Sequence, residues 1–341
     1  MGNDTAETHM TDVDIAIVGG GPAGLSAALA LVRARRSVIV IDGGQPRNRF
    51  APHMHGVLGH DGLPPAELLR LGRAEVEGYG GMFISGEATT ASVGRDGIRV
   101  AVEGRAVRAR RLLVATGLRD ELPDIDGLRE QWGRGVVVCP YCDGWERRNG
   151  VIGIVATSPQ SVEQAQLLRQ WSDRIVYFVN GVGDPDDEAT RRLLARGIRI
   201  ERRAIARIRT DRDDRLTGVE LVGGSVVEVG AVFTGPTMHP RDELLLALGA
   251  ATTEARGMRW VAVDADGRTS IPGVWAVGNV VDPRANVPVS LGAGALIAGA
   301  INAGLVDEDV AAALDPAREP QAGRSPGSSG GSLSVKEARS N

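Results

Sequence analysis

The stretch VDIAIVGGGPAGLSAALALVRARRSVIVID, residues 13–42, decides the fold of this 341-residue chain. It opens with a continuous apolar run at 13–18, which predicts a buried parallel strand. A helical apolar pattern follows, and a second strand-like run at 37–41 closes the stretch. Strand, helix and strand within about thirty residues predict a βαβ unit, from which α/β folds are built.

Three glycines fill the turn between the first strand and the helix, in the spacing G-x-G-x-x-G. Glycine permits a tight turn and lets a pyrophosphate approach the backbone, where the helix N-terminus stabilises its charge. The acid that ends the second strand is placed to accept a hydrogen bond from a ribose hydroxyl. The residues expected to hold a dinucleotide in this unit are Gly19, Gly21, Pro22, Ala23, Gly24 and Asp42.

Composition excludes several classes of function. The length and the 43% hydrophobic content suggest two domains, and a net charge of -4 gives no reason to expect nucleic acid as a partner. Lys336 is the only lysine and lies in the tail, so no lysine is expected for Schiff-base chemistry in the folded part. No signal peptide is evident, and no apolar run is expected to reach the ~20 residues that span a bilayer. We therefore expect a cytoplasmic protein without a membrane segment.

Both cysteines of the chain lie in VVVCPYCDGWE, residues 136–146. In a reducing compartment, a C-x-x-C spacing is more typical of redox catalysis or metal binding than of a structural disulfide. Zinc would need about four ligands, and the histidines at 53, 55 and 60 could supply some of them. The Asp-Gly after the second cysteine and the dinucleotide unit favour redox chemistry, so we expect no metal.

Two further motifs, besides residues 13–42, resemble those of the two-dinucleotide-binding flavoproteins. LLVATG at 112–117 resembles their strand-end ATG motif, and residues 269–301 resemble their second FAD motif. The resemblance implies FAD as the cofactor. It adds to the expected cofactor-binding residues the set Gly43, Gln45, Arg47, Asn48, His60, Ala115, Thr116, Gly117, Gly278, Asn279, Asn286 and Val287.

With these motifs around it, CPYCDG resembles the active site of the low-molecular-weight thioredoxin reductases. The resemblance implies an α/β fold with two Rossmann-like dinucleotide-binding domains, in which an inserted second domain splits the FAD domain. Two segments containing Gly and Pro, 116–127 and 233–243, are expected to be the hinge strands. A small-residue helix at 292–303 resembles part of the family's dimer contact, and the resemblance implies a homodimer. The expected boundaries are 12–118 and 242–314 for the FAD domain, 119–241 for the insert, and 1–11 and 315–341 for disordered ends.

The same resemblance implies roles for the redox segment. Cys142 would face the flavin and Cys139 would exchange with the substrate, since a C-x-x-C thiol usually attacks as a thiolate of lowered pKa. Asp143 would act as general acid and base, which requires a carboxyl within hydrogen-bond reach of a sulfur. The residues expected near the substrate are His53, His55, Tyr141 and Trp145.

The reductases bind NADPH in a second βαβ unit, and residues 150–179 predict such a unit directly after the redox segment. Its turn reads ATSPQS at 156–161, so no glycine stands where the reductases have G-x-G-x-x-A. Where they carry basic residues for the 2′-phosphate, this chain reads VNGVGDPDDE at 179–188, whose acids repel a dianion. We therefore do not expect NADPH to bind, and we expect the disulfide to rest in one orientation at the flavin.

Without NADPH, a substrate dithiol would reduce the cysteines and dioxygen would reoxidise the flavin. This pattern resembles the dithiol oxidases of disulfide natural-product pathways, of the gliotoxin, holomycin and romidepsin kind, as do residues 42–62 and Asn279. The expected function is FAD-dependent oxidation of a small-molecule dithiol to an intramolecular disulfide, with hydrogen peroxide as the second product. Asp143 departs from several of these oxidases, which have His there.

Three alternatives stay open from the sequence. The first is an NADPH-dependent thioredoxin reductase whose nucleotide site has diverged. The second is a flavoprotein reduced by a partner such as a ferredoxin, which would need a basic docking face and finds a hint of one in RAVRARR at 105–111. That run is otherwise expected to be a solvated strand edge. The third is a flavin-binding redox sensor, against which the intact Cys-Cys-Asp set argues.

Overall fold

The computed structural model describes residues 10–255 and 257–315. By residue contacts the chain divides into two units, one ending at Asn302 and the other beginning at Ala303. The described part of the second unit is the C-terminal end of the last helix. The disorder expected for 1–9 and 316–341 lies outside the described residues. Residues 10 and 11, assigned to the disordered N-terminus from the sequence, belong to the first strand instead, because both pair with a neighbouring strand.

The strands of the described chain are β1 (Met10–Val18), β2 (Val38–Asp42), β3 (Met82–Ser85), β4 (Ala88–Gly94), β5 (Gly97–Val102), β6 (Arg105–Val114), β7 (Leu118–Glu121), β8 (Val136–Val137), β9 (Val151–Val155), β10 (Arg174–Phe178), β11 (Arg199–Glu201), β12 (Ile205–Thr210), β13 (Leu216–Leu221), β14 (Val226–Glu228), β15 (Ala231–Thr234), β16 (Thr237–Pro240), β17 (Thr252–Ala255), β18 (Met258–Val261) and β19 (Val274–Ala276). The helices are α1 (Pro22–Arg33), α2 (Pro65–Gly78), α3 (Pro140–Asp143), α4 (Ser161–Leu168), α5 (Asp187–Ala195), α6 (Glu243–Ala247) and α7 (Val287–Leu314).

A seven-stranded sheet has the order β3-β2-β1-β6-β5-β4, and β19 pairs with β6. The predicted first βαβ unit is confirmed, since β1 and β2 are parallel and α1 connects them. The apolar run of β1 is buried because both faces of the sheet are covered. The prediction that the basic run at 105–111 is a solvated strand edge is wrong, because β6 pairs with β1 on one side and with β5 on the other.

A five-stranded parallel sheet has the order β11-β10-β9-β15-β8 and carries the second predicted βαβ unit, β9-α4-β10. The two sheets draw on the stretches that the predicted domains assign to them, 10–114 with 274–276 and 136–234. Residue contacts keep both sheets in the first unit. The domain boundaries therefore stay a prediction.

The two segments expected to be hinge strands form an antiparallel ladder of β7 and β16, in which Leu118 lies opposite Pro240, and their role as a hinge stays a prediction. The hydroxyl of Thr116 donates to the carbonyl of Arg241 at 2.5 Å, and the Arg241 N–H donates to Gly117 at 3.0 Å. These two bonds extend the ladder to the end of the ATG motif. The two crossings between the predicted domains therefore run side by side.

Helix α7 corrects the expectation about apolar runs. It is long and apolar enough to cross a membrane by length and composition, with a hydropathy of 1.8 in its most apolar window. The expectation failed because the run is built from Gly and Ala rather than from large apolar residues. Gly294 fits so closely against the backbone of Ala23 in α1 that a Cβ there would overlap it. The helix thus packs closely on α1 at this point, and 33% of its apolar window is buried.

Candidate active site

One cavity of about 1450 Å³ contains both the glycine turn after β1 and the two cysteines. Pockets for single small ligands usually measure roughly 300–1,000 Å³, so this cavity has room for a cofactor and a second molecule. Its wall includes the predicted residues Gly19, Gly21, Pro22, Ala23, Asp42, Gly43, Gln45, Arg47, Asn48, His53, His55, Ala115, Thr116, Gly117, Cys139, Cys142, Asp143, Gly278, Asn279, Asn286 and Val287.

The glycines of the turn serve two different needs. Gly19 has φ +112°, and a Cβ there would overlap the carbonyl of Ala115 at the end of β6. Gly24 lies outside the cavity wall, and a Cβ on it would overlap the carbonyl of Gly19, so it permits α1 to pack closely on the turn. A Cβ on Gly21 would meet no protein atom within 4 Å. Because Gly21 lines the cavity, the space beside it is available to a ligand.

Asp42 ends β2 and faces the turn. Its Oδ1 accepts the N–H groups of Gly20 at 3.1 Å and Gly44 at 3.3 Å, and its Oδ2 lies 3.5 Å from Arg73. Sequence reasoning missed Gly20, where a Cβ would overlap the Asp42 carboxylate. The run of three consecutive glycines at 19–21 was the signal for it.

The second predicted motif closes the cavity from the side of α7. Gly278 has φ +78°, and the amide of Asn279 donates to the carbonyls of Asp282 and Ala285, each at 2.9 Å. Asn286 caps α7, since its Oδ1 accepts from the N–H of Val289 at 3.2 Å. The loop is thus held by its own side chains.

These residues fit FAD. The open face of Gly21 and the N-terminus of α1 suit a pyrophosphate, and Asp42 is placed for a ribose. The loop after Gly278 lies in the same cavity wall as the redox cysteines, so a flavin bound there would lie in one chamber with them.

Cys139 and Cys142 form a disulfide, with a Cα–Cα distance of 5.2 Å. Cys139 precedes the short helix α3, and its Sγ accepts the N–H of Cys142 at 3.2 Å. Both cysteines are half-buried and line the cavity. The predicted redox cysteines are therefore placed at the cavity that holds the cofactor cradle.

Asp143 is the half-buried acid at the end of α3. Burial raises its pKa from 3.8 to about 6, with a smaller rise from Glu146, while the charges of Arg147 and His55 oppose the rise. A carboxyl of this pKa exchanges protons near neutral pH, as a general acid and base requires.

The two histidines of the predicted substrate set lie in the segment between β2 and α2. His53 Nδ1 is 3.1 Å from the carbonyl of Gly62. His55 lies between two acids, with Nδ1 3.3 Å from Asp61 and Nε2 3.5 Å from Glu146. The His55 contacts connect this segment to the redox segment, which the sequence did not indicate.

Besides Gly24, three predicted site residues lie away from the cavity wall: His60, Tyr141 and Trp145. Tyr141 is 72% exposed and makes an edge contact with Trp171, and Trp145 is 63% exposed beneath Arg148. The short helix α3 turns the cysteines inward and these aromatic side chains outward. His60 is an exposed residue of a turn. Their expected contacts with cofactor or substrate stay predictions.

The cavity also contains residues that the cofactor and substrate sets did not include. They come from irregular segments or from the hinge, where no motif marks them, and the hinge itself was the only signal for the last two. The most informative of them are Phe50, Glu87, Trp132, Arg119 and Arg241.

The turn of the second βαβ unit is closed by a side chain. The N–H groups of Thr157 and Ser158 donate to the hydroxyl oxygen of Ser161, at 3.1 and 3.4 Å, an arrangement called the Ser161 cap below. Ser161 is 4% exposed. The Thr157 hydroxyl donates to Gly235 at 2.7 Å. In a nucleotide site these N–H groups would face the phosphates, whereas here the chain uses them itself.

The acidic loop after β10 also has structural partners. Asp186 caps α5 by accepting from Ala189 at 2.7 Å, and Asp184 pairs with Arg202 at 2.8 Å. Carboxylates are stabilising at a helix N-terminus. The acids therefore have structural partners within and beside this loop, and Arg202 is paired with one of them.

Within residues 10–255 and 257–315, no three His, Cys, Asp or Glu side chains are grouped so as to hold a metal ion. Both ring nitrogens of His55 contact carboxylates, Nδ1 that of Asp61 and Nε2 that of Glu146.

Comparisons with known proteins agree with this geometry. A family model described as pyridine nucleotide-disulphide oxidoreductase matches residues 13–303. The crystal structure of HlmI is 49% identical, with a TM-score of 0.85, and the match covers 90% of this chain and 96% of that one. Thioredoxin reductase sirT of Leptosphaeria maculans is 29% identical over 88% of this chain and 96% of its own length. Thioredoxin reductase tcpT of Claviceps purpurea is 36% identical over 50% of this chain, and the match spans 56% of that protein.

Proposed function

The chain belongs to the pyridine nucleotide-disulphide oxidoreductase family, and on that premise we propose that it is an FAD-dependent dithiol oxidase. Its substrate is a small-molecule dithiol, in which it closes an intramolecular disulfide. The electrons pass to dioxygen. The family and the likeness to HlmI show that the chain is an oxidoreductase with a thioredoxin reductase-like α/β fold.

The observation that carries the proposal is the contrast between the two βαβ turns. The first turn presents Gly21 to the cavity that contains the disulfide, whereas the second is closed by the Ser161 cap. A flavin can therefore meet the disulfide, but NADPH has no prepared cradle. The 49% identity to HlmI supports placing the chain beside the dithiol oxidases that its motifs resemble.

The residues of this chain carry the thiol chemistry. A substrate thiolate attacks Cys139 and displaces Cys142 as a thiolate, and the second substrate thiol then closes on the mixed disulfide and releases Cys139. Asp143 accepts the proton of the incoming thiol, for which its pKa of about 6 is suited. The cavity holds both substrate thiols together, which favours ring closure over release of the half-reacted species.

The electron balance is that of a two-electron oxidase. The substrate loses two electrons and two protons, the disulfide gains them, and dioxygen ends as hydrogen peroxide. Bound FAD supplies the two-electron carrier between the cysteines and dioxygen.

The purified flavoprotein, mixed with dithiothreitol in air, tests this function. We expect dioxygen consumption and hydrogen peroxide in equal amounts, each matched by oxidised dithiothreitol. Cys139→Ser and Cys142→Ser should retain FAD and lose turnover. Peroxide formation that persists in both serine variants would contradict the proposal, because the flavin would then accept electrons without the cysteines.

The names of sirT and tcpT keep a second candidate open, an NADPH-dependent thioredoxin reductase. The Ser161 cap and the acidic loop disfavour it, because Ser161 accepts the backbone N–H groups of the second turn and the loop after β10 carries acids.

A homodimer is part of the proposal. Helix α7 leaves Val289 50% and Leu296 66% exposed, and large exposed apolar side chains on one helix suit a contact with a second copy of this chain. Light scattering at micromolar concentration should give twice the chain mass, and Leu296→Arg should give the single mass. A single mass for the unaltered protein would contradict the dimer.

A further inference from the structure

Arg47, expected from the sequence to bind the cofactor, is committed to another residue. Its Nε and Nη2 donate to the two carboxylate oxygens of Asp120, each at 2.8 Å. The Asp120 side chain is 8% exposed and that of Arg47 is 25% exposed. Bidentate bonds between a guanidinium and a carboxylate fix orientation as well as distance. Asp120 belongs to β7, the hinge strand that leads from the ATG motif toward the redox segment.

The third nitrogen of the same guanidinium reaches the flavin side of the cavity. Nη1 lies 3.4 Å from Asn279 Oδ1 and 3.4 Å from the carbonyl of Pro283. Asn279 in turn holds the loop that follows Gly278. Arg47 therefore connects the segment after β2, the hinge strand and the loop of the second FAD motif through a single side chain.

The segment that carries Arg47 continues along the redox side of the cavity. The backbone of Phe50 lies so close to Gly133 that a Cβ on Gly133 would overlap it. Farther on, His55 Nε2 is 3.5 Å from Glu146 Oε1. Gly133 and Glu146 lie on either side of the redox cysteines in the sequence. Residues 47–55, named the clamp segment, thus contact β7 and both flanks of the redox segment.

We propose that Arg47 is a positioning residue, which holds the Cys139–Cys142 disulfide in register with the cofactor cradle by joining Asp120 to the Asn279 loop. The proposal rests on the proposed function, because register matters only if electrons pass between the cysteines and a flavin. Among the described residues, Arg47 is the side chain that pairs with Asp120, whose own side chain is mostly buried. Loss of the guanidinium leaves a carboxylate without compensation, and the strand that carries it shifts toward water.

The test compares Arg47→Gln, Arg47→Lys, Asp120→Asn and the double variant Arg47→Gln/Asp120→Asn with the unaltered flavoprotein. Arg70→Gln is the matched control, because Arg70 pairs with Glu67 on the exposed face of α2. Each protein is mixed anaerobically with dithiothreitol, and the decay of the flavin absorbance is followed. Bound FAD is quantified separately.

We expect Arg47→Gln and Asp120→Asn to slow bleaching at least about tenfold while FAD stays bound, since small misplacement of reacting groups costs large factors in rate. Arg47→Lys should lie between them and the unaltered protein, because lysine keeps the charge and loses the bidentate geometry. The double variant should be slowed by much less than the product of the single effects, as expected for residues in contact. Unchanged bleaching in Arg47→Gln would overturn the proposal.

Backbone hydrogen exchange separates this failure from failure of the proposed function. Residues 118–121 should exchange faster in Arg47→Gln than in Arg70→Gln, whatever the reaction. If the unaltered protein is not bleached by dithiothreitol, the proposed function fails. If residues 118–121 exchange equally in both variants, the positioning role fails, and a variant that loses FAD before any rate can be measured assigns Arg47 to cofactor binding instead.

Discussion

At the scale of single residues, the sequence predicted which residues form the redox centre, but it did not predict which way the neighbouring aromatic side chains point. Cys139, Cys142 and Asp143 line the cavity as expected, because a C-x-x-C-D pattern fixes them on one short turn. Tyr141 and Trp145 point outward, and only the orientation of that turn against Trp171 decides this. A pattern of adjacent residues cannot supply that orientation.

The pH dependence of Asp143 is the first prediction at this scale. Its pKa of about 6 means that the carboxylate, the proton acceptor, forms as pH rises through 6. We expect kcat/KM for a dithiol to rise through an apparent pKa near 6, and Asp143→Asn to lose that limb and about 10²-fold in rate. A pH series of initial rates checks this. The same limb in Asp143→Asn would assign the titration to another group.

The stability of the oxidised protein should also depend on the protonation of Asp143, but in the opposite direction. The rate rises as pH passes through about 6, whereas the free energy of unfolding falls. A raised pKa means that folding favours protonated Asp143, so its stabilisation is full below pH 4 and is lost as pH rises through about 6. Asp143→Asn should therefore be more stable than the unaltered protein above pH 6, by about 1–2 kcal/mol after allowance for partial exposure. Denaturant unfolding at pH 4 and pH 8 measures the difference, and an equal difference at both pH values would contradict the assignment.

Gly21 gives a separate prediction about the cofactor. It has φ −76°, which any residue adopts, and a Cβ on it would enter the cavity without touching protein. Gly21→Val should fold normally and bind FAD at least about tenfold more weakly, because a side chain replaces the approach of the pyrophosphate. Gly299→Ala on α7 is the control, because a Cβ there would meet no protein atom within 4 Å. Gly44→Ala is unsuitable, since Gly44 has φ +69°. Flavin fluorescence titration reports the affinity, and unaltered affinity would place the pyrophosphate elsewhere.

At the scale of elements, apolar runs and glycine turns sufficed for much of the fold. Both βαβ units and the β7–β16 hinge were predicted, because buried parallel strands read as unbroken apolar runs and Gly with Pro marks the crossings. The interior place of β6 was missed, because its arginines neutralise Asp12 and Asp14 on β1, a pairing that only the sheet order reveals. Site residues of the clamp segment were predicted, but its contacts with β7 and with both flanks of the redox segment were missed, since the segment has no regular structure that would place it.

The Ser161 cap is testable as an element of stability. Ser161→Ala leaves the half-buried N–H groups of Thr157 and Ser158 without the buried hydroxyl that accepts them. The free energy of unfolding should fall by about 1–3 kcal/mol, with FAD content unchanged. Ser158→Ala is the control, because the Ser158 hydroxyl forms no hydrogen bond with the described residues, whereas its backbone N–H keeps its bond to Ser161. Equal unfolding midpoints for the two variants would show that the cap does not hold the turn.

At the scale of the whole molecule, the arrangement combines one prepared dinucleotide cradle, one disulfide and one closed second turn. The fold class predicted from the sequence is confirmed by the family and by the likeness to HlmI. The direction of electron flow stays a proposal, and it rests in part on Ser161 and Asp186, which accept backbone N–H groups at the second turn and in the acidic loop. Sequence reasoning found that glycines are absent from the second turn, whereas the hydrogen bonds to the Ser161 hydroxyl were visible only in the structure.

The most direct test of electron direction is an anaerobic spectrum of the oxidised flavoprotein, mixed with NADPH in one cuvette and with a small dithiol in the other. We expect the dithiol to bleach the flavin absorbance and air to restore it with release of peroxide, while NADPH leaves the spectrum unchanged. Rapid bleaching by NADPH would contradict this direction of electron flow, because the closed turn at 156–161 would then be a working nucleotide site.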